Sequence, residues 1–283
     1  MKRVRIGTHG WWGLVVGMAA VGGCGTPRGA APPEPVSAEV CTERDFMADP
    51  ALCRRVAEMG QAQAQYLLGL MCLTGKYVKR DEAEAAVWLR KAAEQGLPEA
   101  AYNLGVLYWN GRGVERDDAE AVRWLTRAAE GGMTPARVLL GAAYASGRGV
   151  RRDDREAMKW YRFPAEKGDL KAQAALGWLY LYGRNVETNA AAGTAWLEKA
   201  ACRGQASAQY LLGAWYAAHG ADDDAPVRAY AWLRLAAGNG ETRAAEALRK
   251  LEEGLTPEDV TKGKAMYERF RRRCAEASRS GEG

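Results

Sequence analysis

Histidine is almost missing from this chain: its 283 residues include two, His9 and His219. His9 falls in what reads as a leader, so His219 alone would remain in a mature chain. Histidine-based metal centres and Ser/His or Cys/His pairs therefore have almost no material. Serine is sparse, and none begins a Ser-x-x-Lys pattern. The first 23 positions hold no acid, and they carry Lys2, Arg3 and Arg5. Of the formal charge of +5, only about +2 (37 − 35) belongs to the remainder. Such a balance gives no basic face for nucleic acid. Long apolar runs are also lacking, since "WWGLVVGMAAVGG" is too short to span a bilayer comfortably. Carboxylate pairs such as Asp117-Asp118 and the run Asp222 to Asp224 sit at helix starts or in loops, where capping and solvation account for them. No enzyme, cofactor, metal site or small-molecule substrate is expected.

What the chain has in abundance is self-similarity. A Leu-Gly pair recurs at Leu68-Gly69, Leu104-Gly105, Leu140-Gly141, Leu176-Gly177 and Leu212-Gly213, each step being 36 residues (105 − 69 = 36). A tryptophan ladder keeps the same phase at Trp88, Trp124, Trp160, Trp196 and Trp232. A glycine ladder follows at Gly96, Gly132, Gly168, Gly204 and Gly240. The composition, 48% hydrophobic and 27% charged, supports a large core, and the uninterrupted register argues for one elongated body.

Within one unit, Ala100, Leu104 and Tyr108 share a helix face, Gly111-Arg112-Gly113 ends that helix, and Asp117 begins a second one with Glu120 three residues on as a capping box. A phosphate loop is a poor reading of the glycines, which follow a helix instead of a strand. Ala121, Trp124, Ala128 and Ala129 form the second apolar stripe. Glycine inside a helix costs about 1 kcal/mol relative to alanine, so the five in-phase copies need a packing reason. The expected reason is close helix approach, with the large Trp of one helix over positions left small on its neighbour. Pro164 stands where other units have the first alanine of the pair, and it is expected to kink or break its helix near Phe163. The fourth turn has Asn185 for the second glycine and Asn189 for the capping Asp. The fifth turn loses both glycines, with His219 as a surface loop residue.

Taken together, Ala100, Leu104-Gly105, Tyr108, Gly111-Arg112-Gly113-Val114, Asp117, Ala121, Trp124, Ala128-Ala129 and Gly132 resemble the Sel-one-like repeat (SLR) family, relatives of the tetratricopeptide repeats. The resemblance covers roughly residues 50 to 250. It implies an all-α, right-handed solenoid of antiparallel helix-turn-helix repeats, with first helices lining a concave groove for a protein or peptide partner. The groove positions carried over are Asn103, Val106 and Asn110 in one unit and Ala175, Trp178 and Tyr182 in another. Trp178 and Tyr182 are expected at its centre, since exposed Trp and Tyr tend to carry binding energy. A cysteine-rich branch of the family resembles penicillin-interacting proteins, but no repeat here has that branch's cysteine pair.

The start of the chain adds a location. Val21-Gly22-Gly23-Cys24 resembles a bacterial lipobox, implying a signal peptide over residues 1–23 and lipid on Cys24, with ordinary cleavage or an uncleaved anchor as alternatives. By the same resemblance, Gly25 rather than Asp directly after the cysteine favours the outer membrane; a soluble periplasmic or secreted form is the alternative location. Residues 24–40 read as a Pro/Ala-rich tether, 41–60 as an N-terminal cap, 61–254 as the solenoid, 255–277 as a closing helix and 278–283 as a disordered tail. Cys41 and Cys53 are disulfide candidates, Cys72 a buried apolar residue, and Cys202 and Cys274 have no assignable partner. The functional expectation is a non-catalytic adaptor at the cell envelope, or a regulator restraining a membrane sensor from the exported side.

Overall fold

A computed structural model describes residues 49–220 and 222–280. The expected leader with Cys24, the tether, Cys41 and residues 281–283 lie outside the described residues. Within them are helices α1 Pro50–Glu58, α2 Ala62–Thr74, α3 Glu82–Glu94, α4 Pro98–Asn110, α5 Asp118–Glu130, α6 Thr134–Ser146, α7 Asp154–Glu166, α8 Leu170–Tyr182, α9 Ala190–Cys202, α10 Ala206–His219, α11 Ala225–Gly238, α12 Thr242–Glu252 and α13 Pro257–Ser280. Helices α2 to α11 form five successive hairpins, and each packs chiefly on the helices just before and after it in the chain. The result is an all-α solenoid of helix-turn-helix units.

Each hairpin closes over its mid-helix glycine. A Cβ on Gly105 would lie 2.9 Å from Leu125 Cγ and 3.2 Å from the Ala121 carbonyl oxygen, and one on Gly69 would lie 2.8 Å from Leu89 Cγ. Leu197 and Leu233 stand in the same way over Gly177 and Gly213, and Tyr161 over Gly141. The close approach expected from sequence is there, but the side chain over the glycine is the residue after each tryptophan, not the tryptophan itself. Leu89, Leu125 and Leu197 are fully buried. Trp88, Trp124 and Trp232 are buried beside them, whereas Trp160 and Trp196 are half-buried. The long stems of Lys91, Arg127 and Lys199 bring cations 4.1–4.8 Å from the ring centroids of Trp88, Trp124 and Trp196, closing the outer faces of these indoles.

The turns do two tasks. Gly111 ends α4 in the left-handed conformation (φ 65°), which lets its amide return to the Leu107 carbonyl. Two residues on, Gly113 (φ 69°) lies so near the preceding unit that a Cβ would fall 2.0 Å from the Glu82 carbonyl oxygen; Gly149 repeats this at 2.1 Å from that of Asp118. Such proximity puts the intervening arginine onto the carboxylate opening the previous unit's second helix. Arg112 donates to Glu82 at 2.6 Å and Arg148 to Asp118 at 2.7 Å. Arg148 also lies 3.8 Å from the Trp109 ring centroid. These latches clamp one unit's turn to its predecessor's helix start.

Asp81, Asp117 and Asp153 cap the second helices as expected, accepting from the amide of the residue three positions on. The reciprocal half of the box differs, because the capping residue's own amide is already donated to the first helix, Asp117 N–H to the Tyr108 carbonyl and Asp153 N–H to that of Tyr144. Asn189 works equally well as a cap, with its amide on Tyr180. Pro164 does not break α7, which runs unbroken to Glu166. It sits in the last turn and is buried, so the bond its missing N–H would make to Trp160 is lost while the helix continues.

At the end of the array α12 buries Ala244, and α13 crosses back over α9 and α11. Thr256 caps α13 in a true box with Asp259, each side chain accepting from the other residue's amide, and Pro257 follows at the first helical position. The helix continues to Ser280, so residues 278–280, expected in a tail, are helical. Phe270 packs on Trp232 with ring centroids 4.5 Å apart. Cys202 and Cys274, left unassigned by sequence, form a disulfide across 72 residues between α9 and α13. Cys53 is disulfide-bonded and buried, while its expected partner Cys41 lies outside the described residues. Cys72 is buried, and burial pushes its thiol up to about 11.

Three measurements follow. Gly105→Leu forces atoms into the Leu125 contact and is expected to lower stability by about 1–3 kcal/mol in urea denaturation; an unshifted midpoint would contradict the close-approach reading. Chain-entropy arguments give a loop of this length about 3–5 kcal/mol, so Cys274→Ala is expected to lower the thermal midpoint clearly under oxidising conditions and not under reducing ones. Arg112, then Arg80, holds the Glu82 carboxyl down at about 2, and Arg148, then Arg116, holds Asp118 well below the usual carboxylate range. A carboxyl depressed in the folded state contributes stability above its unfolded pKa, and the contribution disappears as pH falls through the folded one. The thermal midpoint is thus expected to drop between pH 4.5 and about 2, and less so in Glu82→Gln.

Candidate functional site

Helices α8 and α10 end side by side, and their last turns carry the rings of Trp178, Tyr182, Trp215 and His219. Trp178 and Tyr182 are one turn apart on α8, with centroids separated by 6.1 Å. Tyr182 meets Trp215 edge-on at 5.4 Å, and His219 stacks on Trp215 at 4.2 Å with planes 13° apart. His219 also lies 5.9 Å from Tyr182, closing the group. Each such ring pair adds about 0.5–1.5 kcal/mol beyond burial, so the rings hold one another in place. Burial raises the Tyr182 phenol above its ordinary value, yet the residue remains 36% exposed. Trp178 is half-buried, not enclosed.

The local sequence explains the cluster. Trp215 occupies the position held by Met71, Leu107, Ala143 and Leu179 in the other units. His219 replaces the turn glycine at 75, 111, 147 and 183, and without a glycine there the helix continues: α10 has 14 residues where α8 has 13. His219 is consequently the final helical residue, one turn beyond Trp215 on the same face, instead of the loop residue expected from sequence. Sequence reasoning singled out Trp178 and Tyr182 but not Trp215 and His219, whose rings the structure groups with Tyr182. The signal was present as two breaks in an otherwise regular ladder.

Some half-exposed aromatics are shielded by cations, as Trp109 is by Arg148, Tyr210 by Arg243 and Tyr216 by Arg228. Among the described residues no cation lies over Trp178, Tyr182 or Trp215. Ala175 is half-buried one turn before Trp178. The other expected groove residues lie on α4, two units away: Asn103 and Val106 half-buried, Asn110 exposed. Asn103 and Asn110 each donate one amide N–H to a carbonyl of their own helix, Glu99 and Val106 respectively, both at 2.9 Å. The structure does not join them to the aromatic group. Among the described residues no group of three or more His, Cys, Asp or Glu side chains is placed to hold a metal ion.

The Sel1 repeat profile matches residues 62–97, 98–133, 134–169, 170–205 and 206–241, five adjoining blocks that each comprise one hairpin. The chain belongs to the Sel1 repeat family. It superposes on the crystal structure of a protective antigen from uropathogenic Escherichia coli displaying an SLR fold, with 36% identity and a TM-score of 0.62. The match covers 78% of this chain and 48% of the antigen, so the present chain spans about half that protein's length. A Sel1 repeat protein from Oxalobacter formigenes matches over 81% of this chain and 89% of its own, at 29% identity and a TM-score of 0.62. No curated protein matches the chain significantly. Sel1 repeats form a scaffold fold that commonly mediates protein–protein interaction and is generally non-catalytic. Among the described residues of this Sel1 repeat protein, no helix is long and apolar enough to cross a membrane.

Proposed function

We propose that this Sel1 repeat protein is a non-catalytic scaffold of the bacterial cell envelope, tethered through lipid on Cys24, which captures a protein partner over the rings of Trp178, Tyr182, Trp215 and His219. The observation that carries the reading is that group of rings: four aromatic side chains from two helices, preorganised by mutual stacking and partly exposed. Fixed aromatic anchors bind with little loss of side-chain freedom, which is why Trp and Tyr dominate interface energetics. The lipobox-like Val21-Gly22-Gly23-Cys24 and the Pro/Ala-rich residues after it support the envelope location. Asn103, Val106 and Asn110, two units away on α4, would make a separate contact with the same partner.

The test is a cross-linked pull-down from membranes with the wild type and a folded Trp178→Ala, Tyr182→Ala variant. A partner is expected with the wild type and, at about 2 kcal/mol or more per anchor, at least ~30-fold less of it with the variant. Equal recovery would move the binding site elsewhere on the solenoid.

A further inference from the structure

The arginine latch of the second and third units is altered in the fourth, where Asn185 (φ 56°) replaces the glycine that in those two units lies against the preceding helix start and leaves no room for a Cβ. Arg112 and Arg148 reach their carboxylates through guanidinium groups, whereas Arg184 reaches Asp154 through its backbone amide, at 2.6 Å. Beside this altered junction lies a solvent-open cleft of about 470 Å³ lined by Tyr144, Arg151, Arg152, Asp153, Arg155 and Asn185.

The charges of this cleft are unbalanced. Asp153 is committed to capping α7, its Oδ1 accepting from the amides of Arg155 and Glu156. Asp154 is buried and committed to a two-bond pair with Arg152, both bonds at 2.9 Å. Arg151 has no carboxylate partner among the described residues, and Arg155 contacts only the Asn185 carbonyl, at 3.4 Å. With Arg152 paired to Asp154, the lining holds two further guanidinium groups, Arg151 and Arg155, against one carboxylate, Asp153, and so keeps one positive charge in excess. Neither arginine is imposed by the repeat: units two and four carry Glu115 and Glu187 where Arg151 stands, and Ala119 and Ala191 where Arg155 stands.

We propose that this cleft binds an acidic segment of a protein partner, with Arg151 and Arg155 each receiving a carboxylate. A guanidinium fork matches a carboxylate in charge and geometry. The volume falls within the range of about 300–1,000 Å³ typical of ligand sites, which leaves room for several side chains of a peptide and exceeds what a lone ion fills. The proposal rests on the scaffold reading above, since it supplies a second contact for the same kind of partner.

The experiment is fluorescence anisotropy with a labelled oligoglutamate peptide, an oligoglutamine peptide of equal length as control. The variant is Arg151→Glu, Arg155→Ala, which installs the residues units two and four carry and is expected to keep the wild-type melting curve. Wild type should bind oligoglutamate, more weakly as salt rises, and the variant about tenfold or more weakly than wild type; Trp178→Ala, Tyr182→Ala should bind it as wild type does. Equal binding by the arginine variant, no binding by wild type, or displacement-competent binding of inorganic phosphate without any of the peptide would each overturn the proposal, the last making the cleft a free-anion site. A pull-down partner that depends on the aromatic rings but not on the arginines leaves the scaffold reading standing and removes the cleft; a pull-down that recovers no partner, with oligoglutamate still bound at the arginines, does the reverse.

Discussion

Every unit of this solenoid depends on a missing side chain. At Gly69, Gly105, Gly177 and Gly213 the first helix leaves a gap one methyl group deep, filled by the leucine of the second helix; Tyr161 fills it at Gly141. The helical cost of glycine, about 1 kcal/mol each, is offset by the dispersion contacts and apolar burial that close approach allows. Because helix separation within a hairpin is set there, tryptophans, alanines and caps elsewhere need only agree with it. The equal 13-residue lengths of α2 to α9 then let successive units stack in register.

Between units the apolar core continues from one hairpin into the next, and polar contacts add to it. In the second and third units the second turn glycine admits backbone against backbone, and the arginine before it reaches back to a carboxylate. Buried glutamines add a second, internal tie: Gln65, Gln173 and Gln209 donate to the carbonyls of Ala57, Ala165 and Ala201. Those carbonyls belong to the last turn of the preceding helix, where backbone acceptors lack intrahelical partners. The ties weaken toward the C-terminal end, where Asn185 replaces glycine and both turn glycines of the fifth unit are gone. There the chain is held instead by α13, laid across α9 and α11 and joined to α9 by the Cys202–Cys274 disulfide. Both candidate binding features, the ring cluster and the arginine cleft, occur where the repeat departs from its own pattern.

Much of this was legible in the sequence because a repeat prints each constraint several times. The 36-residue period, the helix pairs, the Asp caps and the glycine turns are local or nearly local features, enforced by backbone conformation and periodic burial. Reading erred where one position was weighed without its neighbours. Pro164 looked like a helix breaker, yet α7 runs on through it to Glu166. Tryptophan looked like the filler of the glycine gap because it is large, whereas the residue after it points there. His219 looked like a loop residue because glycine stands at that place elsewhere, although removing glycine is what lengthens the helix.

The sequence by itself determined that the chain is a stack of helical hairpins of one length, since propensity, capping and periodicity act within a few residues of each other. Only the tertiary structure decided which side chains from different units meet: Trp215 with Tyr182, Cys202 with Cys274, Arg148 with Asp118. Those pairings span 30 to 72 residues, and they follow from the rotation and spacing of packed helices, quantities that no local pattern of residues encodes.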